Sequence, residues 1–383
     1  MMNHHIALCR FCSVVRRRAV LALFVTMCAL GTGVLGSAQI ITTFDVPGAA
    51  TGGYQGTFAI GSDKQGVIMG DYSGKDGLPH GFLRAPTGTI LKFNVPGAVQ
   101  GTNPQAINPL GVVTGNYIDA GSVNHGFIRT RDGKYTTFDP PGAGTGAGQG
   151  TFPININSAM TVAGYYVDAT FVAHGFLRAQ DGSFTTFSVP GAGSATQGFP
   201  YQGTWTAYFS GLSPDGTITG FYLDGSNVWH SYMRAPDGAI LRFNAPEAGT
   251  GAYEGTSAYG LDTARAASGF YVDASKVNHG FIRTRDGKYT TFDPPGAGTE
   301  AGQGTWVNCV NLPGTMTGWY VDANNVSHGF VALPDVTINT FDIPGEGTGA
   351  QQGTLPLTVN DEGEIVGYYV DASFGVHGFL RTP

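Results

Sequence analysis

The sequence predicts an all-β fold, a seven-bladed β-propeller of four-stranded blades. Three observations predict it. A unit of about 49 residues recurs seven times. Gly accounts for 60 of the 383 residues while 12% are aromatic, a composition typical of short strands joined by tight turns. The repeated units show no sustained helical period in their apolar residues.

The first 38 residues differ from the rest of the chain. Arg16, Arg17 and Arg18 precede an apolar run at residues 19–30, and the small residues Gly36, Ser37 and Ala38 follow. This order predicts a secretory signal peptide at residues 1–38, cleaved after Ala38; the alternative is an uncleaved N-terminal anchor. Residues 39–383 are then expected to form one exported propeller domain, either secreted or periplasmic.

Charge and cysteine content limit the partners that residues 39–383 can have. Four of the 20 basic residues and none of the 27 acidic residues lie before residue 39, which leaves a net charge of −11. This argues against nucleic acid or an anionic membrane as a partner. Cys309 is the one cysteine left in this part of the sequence, so no internal disulfide is expected, and we predict a buried thiol.

The repeat is marked by a His followed two residues later by an aromatic residue. A Tyr lies eight residues before each His, and a Gly lies two residues before each Tyr. The Phe of a Thr-Thr-Phe-like strand follows thirteen residues after the first six His. The seven His are His80, His125, His174, His230, His279, His328 and His377.

Each copy is predicted to contain four strands, and the two ends of the chain share one copy. Residues 41–45 resemble a fourth strand without the preceding three, and residues 377–381 resemble a third strand without a fourth. We therefore expect residues 40–45 to pair with residues 377–382 and close the ring, which removes exposed sheet edges. An open β-solenoid is the alternative. The repeated Gly of the second strand is expected to admit a neighbouring aromatic ring.

The repeated pattern Gly-x-Tyr-x-Asp, His-Gly-Phe, Asp-Gly and Thr-Thr-Phe-Asp resembles bacterial extracellular repeats of the HAF type. Six copies have His-Gly-Phe, whereas the fourth has His230-Ser231-Tyr232, so the likeness is one of pattern. The resemblance spans residues 39–383. It implies export and a propeller-like fold, and it implies no reaction and no catalytic residue.

An Asp lies six residues before six of the seven His, where it could act with the His as an acid–base pair or bind a metal. Because one ring rarely needs six active sites, the sequence favours a structural role in which each pair fixes a turn. The first copy has Gly74 at this position. The pairs are Asp119 and His125, Asp168 and His174, Asp224 and His230, Asp273 and His279, Asp322 and His328, and Asp371 and His377.

A second repeated feature is a Gln or Glu before Gly-Thr, where the chain enters the first strand. The sequence favours a turn in which this side chain satisfies backbone groups. Propeller topology places these residues and the Asp/His loops on one face, which is where we expect a ligand. The residues are Gln55, Gln100, Gln149, Gln202, Glu254, Gln303 and Gln352.

The fourth copy departs most from the others. Fifteen residues separate Phe187 from Gln202, where most copies have eleven. The copy also carries Phe199, Tyr201, Trp205, Tyr208 and Trp229. Trp205 is expected in the core, whereas Tyr201 and Trp229 are expected in loops, where they could stack on a sugar ring. The candidate ligand-binding residues are Tyr201, Trp229, Gln202 and Glu254.

The sequence favours an exported binding or surface-interaction module, taken to be a monomer, that recognises a glycan or a protein. It contains no GxSxG, HExxH or P-loop motif and no CxxC motif after residue 38. No cofactor, metal or catalytic residue is predicted. Two alternatives remain: a secreted propeller lyase or hydrolase that uses an Asp/His pair at the channel mouth, and a structural protein of the cell wall or matrix.

Overall fold

A computed structural model of the chain describes residues 39–194 and 201–383. These two ranges contain 28 β-strands and no helix, which confirms the all-β prediction. Neither range holds an apolar helix of the length needed to cross a bilayer. The predicted signal peptide at residues 1–38 and Phe199 of the fourth copy lie outside the described residues.

The strands form seven units, which we number by the order of their first strands. Strand β1 is Ile40–Phe44; unit 1 contains β2 (Gln55–Ser62), β3 (Ile68–Ser73), β4 (Pro79–Arg84) and β5 (Ile90–Phe93); unit 2 contains β6 (Gly101–Ile107), β7 (Val113–Ile118), β8 (Asn124–Arg129) and β9 (Tyr135–Phe138); unit 3 contains β10 (Gly150–Ile156), β11 (Val162–Val167), β12 (Ala173–Arg178) and β13 (Phe184–Phe187). Unit 4 contains β14 (Gly203–Thr206), β15 (Ile218–Leu223), β16 (Trp229–Arg234) and β17 (Ile240–Phe243); unit 5 contains β18 (Gly255–Leu261), β19 (Ala267–Val272), β20 (Asn278–Arg283) and β21 (Tyr289–Phe292); unit 6 contains β22 (Gly304–Val310), β23 (Met316–Val321), β24 (Ser327–Ala332) and β25 (Ile338–Phe341); unit 7 contains β26 (Gly353–Val359), β27 (Ile365–Val370), β28 (Gly375–Thr382) and β1.

Within each unit the strands pair antiparallel in the order first, second, third, fourth. In unit 3, for example, β10 pairs with β11, β11 with β12, and β12 with β13. The fourth strand of unit 7 comes from the other end of the chain. Strand β1 pairs with β28, with Ile40 opposite Thr382 and Phe44 opposite Gly378.

Neighbouring units are joined where the third strand of one begins beside the first strand of the next. Asn124 pairs in parallel with Gly150, and the Asn124 N–H donates to the Gln149 carbonyl at 2.9 Å. The same pairing joins β28 of unit 7 to β2 of unit 1. Between units 1 and 2 the third strand begins with Pro79, which has no N–H to donate, and no such ladder forms between β4 and β6.

The core lies between the units, so both faces of the first and second strands are buried, whereas the fourth strands are partly exposed. Tyr166 and Phe176 of unit 3 pack against Phe138 of unit 2, and the Arg178 guanidinium lies 5.0 Å from the Phe138 ring centroid. Trp205 is 5% exposed, as predicted. Cys309 is a free, buried thiol, also as predicted, and burial raises its pKa to about 11.

The repeated Gly of the second strand is needed mainly for close backbone approach. A Cβ at Gly164 would lie 2.3 Å from the Phe152 carbonyl oxygen of β10 and 2.8 Å from the Phe176 ring. The expectation of an aromatic neighbour is therefore only part of the explanation, because the first strand's backbone is closer than the ring.

Gly164→Ala should destabilise the protein by about 2 kcal/mol, because the added methyl group must push apart two paired strands. The measurement is the urea midpoint followed by Trp fluorescence. Gly225→Ala is the matched control, since a Cβ there meets nothing within 4 Å. Equal midpoints for the two variants would contradict this explanation of Gly164.

Candidate functional site

One face of the protein gathers the Asp/His pairs and the repeated Gln or Glu residues. In each unit the first and third strands begin, and the second and fourth strands end, on this side. We call it the Asp/His face. It carries the loop before each first strand and the loop between each second and third strand, the two loops that the sequence placed together.

The repeat Asp fixes the loop between the second and third strands. Asp168 Oδ1 accepts hydrogen bonds from the N–H groups of Thr170 at 2.8 Å and Val172 at 3.0 Å. Its other oxygen lies 3.1 Å from His174 Nε2. Burial opposes ionisation, but the hydrogen bonds outweigh it and lower the pKa of Asp168.

All six predicted Asp/His pairs come together, and the first copy has a substitute. The distances from carboxylate oxygen to Nε2 are between 3.1 and 3.7 Å. In unit 1, where Gly74 replaces the repeat Asp, Asp76 supplies the carboxylate at 3.1 Å from His80. The six pairs are Asp119 with His125, Asp168 with His174, Asp224 with His230, Asp273 with His279, Asp322 with His328, and Asp371 with His377.

Each His also has a second partner and a stacking partner, neither of which the sequence reasoning identified. The Nδ1 atom lies 2.7 to 3.1 Å from an Asp, Asn or Ser that directly follows the fourth-strand Phe. The ring stacks on the second-strand Tyr at 4.9 to 5.3 Å between centroids. The Nδ1 partners are Asp45, Asn94, Asp139, Ser188, Asn244, Asp293 and Asp342.

Two carboxylates around one imidazole favour the imidazolium. Hydrogen bonds to Asp45, and then to Asp371, raise the pKa of His377, although burial acts in the opposite direction. The side chains of His125 and His377 are a quarter exposed or less, so their imidazoles are partly buried on the Asp/His face.

Gln202 and Glu254, two of the candidate ligand-binding residues, have their side chains turned into the protein. Gln202 is 5% exposed, and its Nε2 donates to Asn227 Oδ1 at 3.0 Å. Glu254 is 8% exposed, and its Oε2 accepts the Gly251 N–H at 2.7 Å. Both side chains therefore hold the loops in place, which is the turn role that the sequence favoured for the repeated Gln.

Trp229 and Tyr201 are both half-buried on the Asp/His face. Trp229 was expected in a loop, but it is the first residue of β16, where it pairs with Gly255 and packs edge-on against Phe221 at 5.3 Å. The strand starts one residue earlier than expected because Trp229 also pairs antiparallel with Leu223 at the end of β15. Tyr201 precedes β14, and its ring lies 5.6 Å from that of Phe171.

Further aromatic side chains lie on the same face. Tyr54 and Phe374 form a pair at 5.1 Å between units 1 and 7, equivalent to Tyr201 and Phe171 between units 4 and 3. Tyr253 occupies the same position before Glu254 and is 51% exposed. We call Tyr54, Phe171, Tyr201, Trp229, Tyr253 and Phe374 the rim aromatics. For five of them the sequence signal is either the residue before the repeated Gln or Glu or the residue three before the repeat His, whereas Trp229 directly precedes its repeat His.

A continuous series of aromatic rings runs along the first and second strands of units 3 to 6. Consecutive ring centroids are 4.5 to 6.3 Å apart. We call this series the aromatic belt. Its members are Phe152, Tyr165, Trp205, Phe221, Tyr259, Phe270, Trp306 and Trp319. In unit 1 the position of Tyr165 is taken by Asp71, whose Oδ1 is buried without a hydrogen-bond partner.

No protein-family model matches the chain, and no curated protein matches it. Among solved structures, the lectin BP39L from Burkholderia pseudomallei aligns over 85% of this chain and 97% of its own, with a TM-score of 0.51 and 10% identity. A puromycin hydrolase aligns over 82% of this chain and 50% of its own, with a TM-score of 0.48 and 12% identity. AofleA from Arthrobotrys oligospora covers 91% and 94%, with a TM-score of 0.42 and 11% identity. At this identity the similarity to the lectin shows a shared propeller-like fold and nothing about the site.

Proposed function

We propose that residues 39–383 form an exported seven-bladed β-propeller of the HAF-repeat type that binds a glycan on its Asp/His face. Export would follow from the signal peptide at residues 1–38. A protein ligand is the alternative occupant of the same face. The observation that carries the proposal is the set of rim aromatics, which stand beside loops rich in polar backbone and carboxylate groups.

Closure of the propeller is supported by contacts between units 7 and 1 that repeat those at other junctions. The Arg84 guanidinium lies 4.7 Å from the Phe44 ring centroid, as Arg178 lies 5.0 Å from Phe138. The Thr358 hydroxyl donates to the Ile60 carbonyl at 3.0 Å, 298 residues away in sequence. Such contacts between the first and last units fit a ring and do not fit an open solenoid.

Glycan binding is supported by the chemistry of the rim. A pyranose offers an apolar face that stacks on aromatic rings and hydroxyl groups that bind carboxylates and backbone groups. Five of the rim aromatics are half-buried and held by neighbouring rings, so they are ordered in advance of binding, whereas Tyr253 is exposed. A solved neighbour that is itself named a lectin is in keeping with this use of the fold.

Catalysis has weaker support than binding. A hydrolase or lyase would need one Asp/His pair that differs from the others in geometry and exposure. The six pairs instead share one arrangement, with similar distances and similar stacking on Tyr. A repeated turn-fixing network explains all six.

Substitution of Tyr201 and Trp229 by Ala should weaken glycan binding at least about tenfold, because loss of one stacking contact amounts to about 1.4 kcal/mol or more. Residues 39–383 are first screened on a glycan array, and the strongest ligand is then titrated against the wild type and each variant by calorimetry. A pull-down with extracellular proteins tests the alternative ligand class.

Leu110→Ala is the matched control, because Leu110 is 48% exposed in a turn on the side opposite the Asp/His face. It should bind as tightly as the wild type. If Tyr201→Ala and Trp229→Ala keep wild-type affinity and wild-type melting temperature, the binding site proposed here is wrong.

A further inference from the structure

One junction on the Asp/His face carries an acidic side chain at a position where the other six have Ala. The loop after each fourth strand contains Pro followed by Gly or Glu and then a third residue. Between units 6 and 7 that third residue is Glu346. At the six equivalent positions it is Ala49, Ala98, Ala143, Ala192, Ala248 and Ala297.

Glu346 joins a His and an Asp that are already in contact. His328 Nδ1 lies 2.9 Å from Asp342 Oδ1, and one ligand atom each of His328, Asp342 and Glu346 lie within 4.8 Å of one another. The ligand atoms of a tetrahedral metal site lie roughly 3.3 Å apart around bonds of about 2.0–2.1 Å. Small side-chain adjustments are enough to bring the three into that arrangement.

The surrounding residues orient this group. Thr354 donates its hydroxyl hydrogen to Glu346 Oε2, whereas in unit 3 the equivalent Thr151 donates to Asp139. Asp322 Oδ2 lies 3.7 Å from His328 Nε2, on the side of the ring away from Asp342. A carboxylate behind a metal-binding imidazole fixes its orientation and increases its basicity.

The electrostatics favour a cation. Glu346 is half-buried, and its carboxylate lies close to that of Asp342. Two carboxylates and one imidazole around a shared space provide two negative charges. A bound divalent cation would offset both the repulsion and the desolvation.

We propose that His328, Asp342 and Glu346 bind one Zn²⁺ ion. An imidazole with two carboxylates suits zinc better than Ca²⁺ or Mg²⁺, which prefer oxygen ligands alone. Three protein ligands leave a fourth position for water or for a ligand oxygen. None of the three ligands is a rim aromatic, so the Zn²⁺ site can be tested separately from glycan binding.

The test is calorimetric titration of Zn²⁺ into residues 39–383 after treatment with a chelator. The wild type should bind one Zn²⁺ ion at this site more tightly than at any other site on the chain. Ca²⁺ at the same concentration should give no heat of binding at this site. Glu346→Ala and Glu346→Gln should each weaken this binding about 100-fold or more, since each leaves only two ligands. Asp322→Asn should weaken it roughly tenfold through the orientation of His328.

Ala297→Glu provides the converse test within the same molecule. His279 Nδ1 lies 2.7 Å from Asp293 Oδ2, with Asp273 on the other side of the ring, so this junction lacks only the Glu. The variant should gain a second site of comparable affinity. Unchanged Zn²⁺ affinity in both Glu346 variants would overturn the proposal, and so would a wild-type site that prefers Ca²⁺. A folded Ala297→Glu variant with no second site would show that the three ligands are not sufficient.

Discussion

Deletion of residues 40–45 should abolish cooperative folding of residues 39–383. The deletion removes β1, which pairs with β28 over five residues, and leaves a long unpaired edge on unit 7. It also removes the Phe44 ring from its contacts with Phe82 at 6.0 Å and Arg84 at 4.7 Å. We expect the single sharp urea transition of the wild type to become broad, and the protein to elute as aggregates in size-exclusion chromatography.

A variant that supplies the same strand from the other end of the chain controls for this deletion. Asp-Gly-Lys-Ile-Thr-Thr-Phe-Asp is added after Pro383 of the deleted chain. In unit 5, a turn of the same length places Tyr289 opposite Arg283, and in unit 7 Ile41 lies opposite Arg381. The added strand should therefore restore the wild-type transition. A deletion variant that unfolds as sharply, and at the same urea concentration, as the wild type would refute closure by β1.

The unit structure could be predicted because its signals are local. Alternating apolar residues and Asp-Gly turns specify strands and hairpins without reference to the rest of the fold. The partner of the Thr-Thr-Phe-Asp segment that ends at Asp45 could also be predicted. In the six complete copies this segment follows the third strand, and residues 377–381 are a third strand without a fourth.

Contacts across strands were harder to predict because they depend on register. The second partner of each His was missed, although its position follows from the pairing. Gly126 lies opposite Phe138, which places Asp139 opposite His125, and the Asp139 carboxylate reaches the imidazole at 2.8 Å. The sequence shows how far apart two residues lie along the chain. Whether they are in contact also depends on the register in which their strands pair.

The candidate ligand residues illustrate the same limit between units. Gln202 and Glu254 stand out in the sequence as polar residues beside aromatics, yet their side chains bind loop groups, the Asn227 side chain for Gln202 and the Gly251 N–H for Glu254. The pair of Tyr54 and Phe374 was missed because its members are 320 residues apart and meet only where unit 7 adjoins unit 1. The position of Glu346 beside His328 depends on the fold of the Pro-Gly loop, which the repeat pattern leaves open to an Ala or a Glu.

Asp71→Asn should make the stability of the protein much less dependent on pH. Asp71 is 4% exposed, and desolvation raises its pKa from 3.8 to about 7. At the equivalent position of unit 2, Asn116 donates to Asn124 Oδ1 at 2.9 Å, but the counterpart of Asn124 in unit 1 is Pro79, whose side chain offers no partner. Asp71 Oδ1 is consequently buried without a hydrogen bond.

The direction of the pH effect follows from where the proton is held. The folded protein keeps Asp71 protonated up to about pH 7, whereas the unfolded chain releases that proton near pH 3.8, so rising pH favours unfolding between these values. The neutral amide of Asp71→Asn removes this linkage. The variant's free energy of unfolding minus that of the wild type should therefore increase by on the order of 3 kcal/mol from pH 5 to pH 8, at about 1.4 kcal/mol per pKa unit.

The measurement is urea unfolding of both proteins at pH 5, 6, 7 and 8. Asp237→Asn, the same change at an exposed turn, is the control and should stay parallel to the wild type over this range. If the difference between Asp71→Asn and the wild type is constant from pH 5 to pH 8, Asp71 is ionised in the folded protein. The protein would then have to stabilise a buried charge at Asp71, whereas a difference that grows with pH identifies Asp71 as a buried acid held neutral by its surroundings.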